Sequence, residues 1–282
     1  VFRQALDSAR FATKDRRKHL KVMQDVARWV AVTHLDRAPA SLSRPLYKTV
    51  VDVTGNRDPY RAIKARCNRT AMRLLPYVQK RVNAARDPLH VALKAAAAGN
   101  IIDLGVGQKF DIKRDIPALL DRPFRIDATD ELRRELKPGA RVLYIGDNAG
   151  EIVFDIPLLR QMLKAGARVT FAVKSGPIVN DATMSDARMT GLADVVPVIE
   201  TGSNDIGVDW TLVSRQFLKA VESSHIVISK GHGNFETCDE RPENFYYLLK
   251  CKCHMVAEAL GVDIGDLVLV HKPRMKKLRR KC

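Results

Sequence analysis

The first hundred residues contain no glutamate at all. They hold 21 Lys and Arg against seven Asp, whereas residues 101–150 balance nine against nine and residues 151–270 hold 11 cations against 16 acids. The last twelve residues, HKPRMKKLRRKC, add seven cations, and the formal net charge of the chain is +16. Such a bias suits phosphate contact and therefore a nucleic acid partner. Aromatic residues are scarce too, at 6%, and no recognition helix, zinc finger or RNA-binding signature interleaves with the basic residues. Solvated helix faces and a basic tail explain the charge without nucleic acid. The same positive surround would steer a small anion.

Long apolar runs are also missing. Nothing nears the roughly 20 residues of a membrane span, and no charged, then apolar, then small signal segment is visible. A soluble, intracellular, cytoplasmic protein with no membrane partner is the expectation, although the sequence opens on Val1 rather than Met. Cysteines are few and odd in number, at 67, 238, 251, 253 and 282, which excludes a disulfide framework. KCKCH (250–254) would put Cys251 and Cys253 on one face of a strand with His254 pointing away. Structural zinc uses four ligands, usually as two spaced pairs, so buried thiols explain this single pair better.

What is present is ordinary globular material, 46% hydrophobic over 282 residues, enough for one or two domains. Residues 1–100 read as helices. Asp58-Pro59 and Asp87-Pro88 look like helix starts with proline at the first position, and Gly99-Asn100 looks like a helix end. From about residue 139 strands alternate with helices: ARVLYIGD, RVTFAVKSG, ADVVPVIETG, HIVISKG, NFYYLLKCKC and DLVLV are the strands. Pro157 falls within the helix after the first of these and predicts a kink or restart. The pattern gives an α/β fold with a mostly parallel, Rossmann-like sheet covered by helices on both faces. The expected division is a helical lobe over 1–100, a catalytic α/β domain over 101–270 and a basic tail over 271–282.

In such sheets ligands bind beyond the carboxyl ends of the strands, where the winding reverses. VLYIGDNAGE puts Asp147 and Asn148 there, Ser175 follows the second strand with Asn180 and Asp181 close behind, and Ser229, Lys230 and Gly231 end the fourth. Taken singly, Asp, Asn, Ser and Gly at such turns are helix caps more often than ligands. Capping does not explain a lysine that ends an apolar strand where two acids also point. Two carboxylates and an amide oxygen suit magnesium, manganese or a similar hard divalent ion. Lys230 suits a phosphoryl oxygen, and Gly231 and Gly233 let backbone amides approach an anion. His232 is as readily a loop histidine as a ligand or acid.

The stretches GDNAGE, VNDAT, SKGHGNFET, DPYRAIK and GNIIDLG resemble the signatures of the metal-dependent damage-control phosphatases, long known as a domain of unknown function, number eighty-nine. The resemblance runs from about residue 45 to 270. It implies a three-layer αβα sandwich with a helical N-terminal region, and hydrolysis of small phosphometabolites such as sugar phosphates or phosphopantetheine-like compounds, damaged forms included. It implies a divalent ion (Mn, Mg, Co or Ni) on Asp147, Asn148 and Asp181, the family lysine at Lys230, and substrate contacts from Asn100 and Asp103. Ser175, Ser229 and Gly231 complete the expected substrate contacts. Members of this group often carry a Cys-x-x-Cys ahead of a segment like FRQAL, which would make Cys253 its partner. Activation of water at the metal, with Lys230 stabilising the transferred group, and direct attack by Asp147 both remain open, as does a homo-oligomer. The rival enzyme is an S-adenosylmethionine-dependent carboxyl methyltransferase. Its cofactor loop fits poorly, with Tyr144 in place of the acid and Asn148 in place of the central glycine. A dinucleotide fold fits less well still. A basic nucleic-acid-binding protein is the non-enzymatic alternative.

Overall fold

The computed structural model describes residues 1–33, 43–99, 118 and 120–272. Among the described residues five helices come first: α1 (Phe2–Ala12), α2 (Arg16–Ala31), α3 (Ser43–Thr54), α4 (Arg61–Ala84) and α5 (Pro88–Ala98). Asp15 opens α2 by accepting from the Arg17 amide at 2.8 Å, which breaks the first basic stretch into two helices. Asp87 caps α5 through the His90 amide, with Pro88 at the first position as its sequence predicts. Helix α5 ends at Ala98 with Gly99 as its C-cap, as expected, whereas the start of α4 differs. α4 begins only at Arg61, and the Asp58 carboxylate faces the Lys64 ammonium at 3.4 Å instead of capping. Gly99 has right-handed backbone rather than a helix-ending left-handed one. A Cβ on it would lie 3.1 Å from Glu151 Cγ, so close approach is the reason for a glycine here.

Seven strands follow: β1 (Phe124–Asp127), β2 (Arg141–Ile145), β3 (Arg168–Val173), β4 (Val198–Glu200), β5 (Ile226–Lys230), β6 (Phe245–Lys250) and β7 (Leu267–His271). Their order is β1-β7-β6-β5-β2-β3-β4, parallel throughout except where β7 runs antiparallel to β6. The winding therefore reverses between β2 and β5. Interleaved are α6 (Thr129–Glu135), α7 (Glu151–Lys164), α8 (Met184–Met189), α9 (Arg215–Ser223), α10 (His232–Cys238) and α11 (His254–Leu260). Strand β1 and helices α6 and α10 are additions to the sequence reading. β1 is four residues of alternating burial, and α10 arises from GHGNFETC, whose glycines read as loop.

Alternation along β2 shows the layers. Val142 and Tyr144 join one core with α4, α5 and α7, while Leu143 and Ile145 join a second with α9, α10 and α11. Helices α1 to α3 close around a cluster of their own, with Ala5, Ala9, Val22, Val26, Leu46 and Val50. Helix α5 buries Ala92 and Ala95 to Ala98, small residues that let it lie close on α7. Pro157 does not restart α7, which is one helix from Glu151 to Lys164. Residues 151–159 are buried without interruption, and this packing holds the helix across the missing N–H. The Cys251 and Cys253 pair does not share a strand face. The β6–β7 ladder ends at Lys250 opposite Leu267, leaving Cys251 in the connection and Cys253 at the N-cap of α11. Among the described residues no helix is long and apolar enough to cross a membrane.

Leu159 is wholly buried in the α7 layer. Leu159→Ala is expected to cost about 2–5 kcal/mol of unfolding free energy, read from the urea midpoint. A loss below about 1 kcal/mol would show that this layer is not the main core.

Candidate active site

The loops after β2, β3 and β5 meet at the reversal point, and there a cavity of about 340 Å³ opens. Gly146 leaves β2 with its amide bonded to the Ala172 carbonyl, and Asn234 from α10 donates to the Gly146 carbonyl. The next residues bond across to the following loop: the Ala182 amide donates to the Asp147 carbonyl at 2.8 Å and the Ala149 amide to the Asn180 carbonyl at 2.8 Å. A bridge pairs Asn148 with Asp181. Backbone pairing between two loops thus brings Asp147, Asn148 and Asp181 to one side of the cavity.

Glu151, the first residue of α7, joins them on the cavity wall. Asn148 Nδ2 donates to Asp147 Oδ2 at 2.7 Å and to Glu151 Oε2 at 3.3 Å, so its Oδ1 is the atom left for a cation. The acids crowd one another. Burial, then Glu151 and Asp181, push the Asp147 carboxyl well above the usual range, against the pull of Lys252 and Lys230. Burial likewise lifts Asp181 to about 6, with Lys174 and Lys64 opposing and Glu151 adding to the rise. Gly231 passes so close that a Cβ there would overlap the Asp147 carboxylate, and its φ of +80° also favours glycine.

Lys230 does not line this cavity. It is fully buried, with Nζ 2.6 Å from Glu151 Oε1 and 2.8 Å from Asp155 Oδ1, and the Tyr144 hydroxyl donates to the same Asp155 oxygen at 2.7 Å. Burial alone would lower the Lys230 pKa, but Asp155 and Glu151 outweigh it and the ammonium is held charged. Ser229 is buried behind the wall, and Ser175 is exposed, its Oγ accepting from the Gly202 amide at 2.7 Å. Gly231 does line the cavity, while Asn100 and Asp103 fall outside the described residues.

Two cations do face the cavity, and both come from KCKCH. Lys250 ends β6 and Lys252 follows it. The His232 ring, at the start of α10, has Nε2 3.0 Å from the Lys250 carbonyl and 3.1 Å from the Lys252 amide, which fixes this segment. Burial lowers the His232 pKa, so the ring is neutral near pH 7. Tyr47 and Gln4, from α3 and α1, line the cavity from the helical side. Sequence reasoning passed over Glu151 because it reads as an ordinary first-turn acid of a helix. It passed over the two lysines because the thiols beside them, Cys251 and Cys253, drew the argument. Among the described residues no three His, Cys, Asp or Glu side chains stand ready as a metal cage. The donor set that fits a divalent ion is two carboxylates plus the Asn148 oxygen, with mutual repulsion that a cation would relieve.

Comparison with known proteins places this fold in a family. The damage-control phosphatase ARMT1-like domain matches residues 1–268. A damage-control phosphatase of Pyrococcus horikoshii is 34% identical over 91% of this chain and 90% of its own length. The crystal structure of a DUF89 family protein from the same organism superposes with a TM-score of 0.88 at 33% identity, covering 96% of this chain and 95% of that one. A 4'-phosphopantetheine phosphatase of Mus musculus is 29% identical over 51% of this chain and 20% of its own length. These matches give the methyltransferase and nucleic-acid alternatives no support. Matched along nearly its whole length, the chain belongs to the damage-control phosphatase ARMT1-like family and is an enzyme of the phosphatase class.

Proposed function

We propose that this phosphatase hydrolyses small phosphomonoesters, sugar phosphates or phosphopantetheine-like metabolites and their damaged forms, with one divalent ion held by Asp147, Asn148 and Asp181. The observation that carries this reading is the two-signed cavity. Crowded carboxylates whose protonation is pushed upward lie on one side, and Lys250 and Lys252 face the same space. Burial, then Arg122 and Lys252, lower the Lys250 pKa, which marks a site with excess positive charge as well. Acids short of cations and lysines short of anions are both relieved by a metal ion together with a phosphate. The volume of about 340 Å³ suits a small metabolite.

A divalent ion bound there would polarise a phosphoryl oxygen and lower the pKa of a water molecule. Lys250 and Lys252 bind the remaining phosphoryl oxygens and stabilise charge as the ester oxygen departs. Glu151, held by Lys230 at 2.6 Å, orients the Asn148 amide so that its oxygen faces the ion. Water contributes the hydroxyl that replaces the alcohol, and the products are that alcohol and inorganic phosphate. In this reading phosphoryl binding passes from Lys230 to Lys250 and Lys252. All-oxygen ligation admits magnesium, manganese, cobalt and nickel. The free thiols Cys67, Cys238, Cys251 and Cys253 agree with a reducing compartment, and we assign the enzyme to the cytoplasm.

Chelator-stripped protein given back single divalent metals should release phosphate from para-nitrophenyl phosphate and from some member of a sugar phosphate panel, whereas Asp147→Ala should not. Folded wild-type protein that stays silent with every metal would refute the reading.

Protonation gives a second expectation. Asp181 titrates at about 6 in the folded chain against an ordinary 3.8, so the native state binds the extra proton between those values. That difference lowers the stability of the metal-free protein as pH rises through the window. Metal must displace such protons, so its affinity should rise from pH 5 to pH 7 with proton release at the lower pH. Calorimetry in buffers of different ionisation enthalpy measures both, and a pH-independent dissociation constant would count against this ligand set.

The lysines should separate cleanly. Lys250→Met is expected to lower kcat/KM by about 10- to 100-fold through KM with little change in melting temperature. Lys230→Met leaves Glu151 and Asp155 buried without their counter-charge and should cost about 3–5 kcal/mol of stability. If Lys230→Met keeps its stability and alters only KM, phosphoryl binding belongs to Lys230 after all.

A further inference from the structure

The stretch DPYRAIKARCN, residues 58–68, contributes neither a metal ligand nor an anion-binding lysine to the reading above, yet it reaches both ligand-bearing loops. Asn68, one turn beyond Lys64 on α4, is fully buried. Its Oδ1 accepts from the Gly150 amide at 2.6 Å, and its Nδ2 donates to Asp186 Oδ1 at 2.8 Å. Asp186 Oδ2 in turn accepts from the Thr183 amide at 2.9 Å and the Thr183 hydroxyl at 2.7 Å. Gly150 closes the loop that carries Asp147 and Asn148, and Thr183 closes the loop that carries Asp181. One amide side chain therefore touches the first loop directly and the second through a single carboxylate.

The surrounding contacts hold this arrangement in place. Lys64 Nζ lies 3.5 Å from Asp186 and 3.4 Å from Asp58, so the buried Asp186 has a counter-ion from the same helix. The Gly150 backbone lies flush on α4, since a Cβ there would come within 2.9 Å of Cys67 Cβ. Both polar ends of Asn68 are needed, one as acceptor and one as donor, which neither Asp nor a hydroxyl of Ser can reproduce alone.

We propose that Asn68 is a positioning residue for the metal site: it sets the spacing of the two loops, so that seating of α4 and metal binding are linked. The inference rests on the assignment of the metal to Asp147, Asn148 and Asp181. A group that orients metal ligands from behind typically changes metal affinity by about 10- to 100-fold when removed. A buried asparagine that only served the fold would change stability and leave the affinity of the folded protein alone.

The test is an exchange of partners. Asn68→Asp sets a carboxylate against Asp186, and Asp186→Asn sets two amides face to face. In the double variant the amide introduced at 186 can donate to the carboxylate introduced at 68, which still accepts from the Gly150 amide. Binding of Mn(II) alone to the metal-free full chain is measured by calorimetry, beside the melting temperature. Each single variant should bind Mn(II) at least about tenfold more weakly, and the double variant should return to within about twofold of wild type. Folded single variants with wild-type affinity, or a double variant as weak as the singles, would overturn the proposal. If Asn68→Asp does not fold, Asn68→Ser, neutral and too short to span both partners, is measured in its place, and wild-type affinity there is equally fatal. Asp181→Asn is the control. Undiminished Mn(II) binding in that variant sinks the metal assignment itself, while loss there and retention at Asn68 sinks only the positioning role.

Discussion

The arrangement of buried charge around one cluster of acids is the constraint on which the rest of this structure depends. Three of the carboxylates near the cavity pair with a buried lysine: Glu151 with Lys230 at 2.6 Å, Asp181 with Lys174 at 3.7 Å and Asp186 with Lys64 at 3.5 Å, Lys230 being shared with Asp155 and Lys64 with Asp58. Asp147 has no ion pair among the described residues, and the backbone of Gly231 occupies the space beside it. Uncompensated charge is therefore concentrated on one side chain at the cavity wall. A half-buried carboxylate with a hydrogen bond from Asn148 but no counter-ion is costly, and in the proposed reading a ligand that carries positive charge explains its persistence at the reversal point of the sheet.

The fold makes this concentration affordable through elements that are adjacent for topological reasons. Strands β2 and β5 pair directly, so the residues after them are neighbours although the chain between them forms two further strands. Helix α7 starts where β2 ends and lies across the sheet, which puts Glu151 and Asp155 one turn apart above Lys230. Tyr144, on β2, bonds to Asp155 from below. Burial raises the Asp155 pKa to about 6 against the opposing pull of Lys230, so the pair is ionised at neutral pH. A strand, its following helix and the next strand are thus tied by one charged network behind the cavity, and the network orients Glu151 at its front.

Much of this was legible in the sequence, for physical reasons that differ by residue. The apolar runs of β2, β3, β5 and β6 declare strands buried on both faces, and short polar turns at their carboxyl ends declare where a ligand binds. That rule selects Asp147, Asn148 and Asp181 together with Ser175, Asn180, Ser229, Lys230 and Gly231, and only the family resemblance narrows them to a proposed ligand set. The direction of a side chain does not follow from it. Lys230 ends a strand beside the acids, but the alternation of β5 turns it into the layer under α7, where two carboxylates meet it. Lys250 and Lys252 were hidden by their context, because a strand end flanked by thiols reads as chemistry of sulfur. Helix α10 was hidden by its glycines, which serve close packing: Gly233 lies against Gly207, and a side chain there would meet Ile206.

Asn68 and Gly99 show what a local reading of the helical residues leaves out. Each is explained only by what it touches far along the chain, Gly150 and Asp186 for the first and Glu151 for the second. The helical region therefore contributes more than a cover for the cavity. Helices α4 and α5 share a core with the sheet and press on both sides of the turn that leads into α7, so the loop bearing Asp147 is held between the sheet and these helices. A metal site built from loops alone would have to order those loops on binding and would lose affinity in doing so. On the proposed metal assignment that ordering is accomplished when the helices fold onto the sheet, which is why residues that never face the cavity belong to the physics of the site.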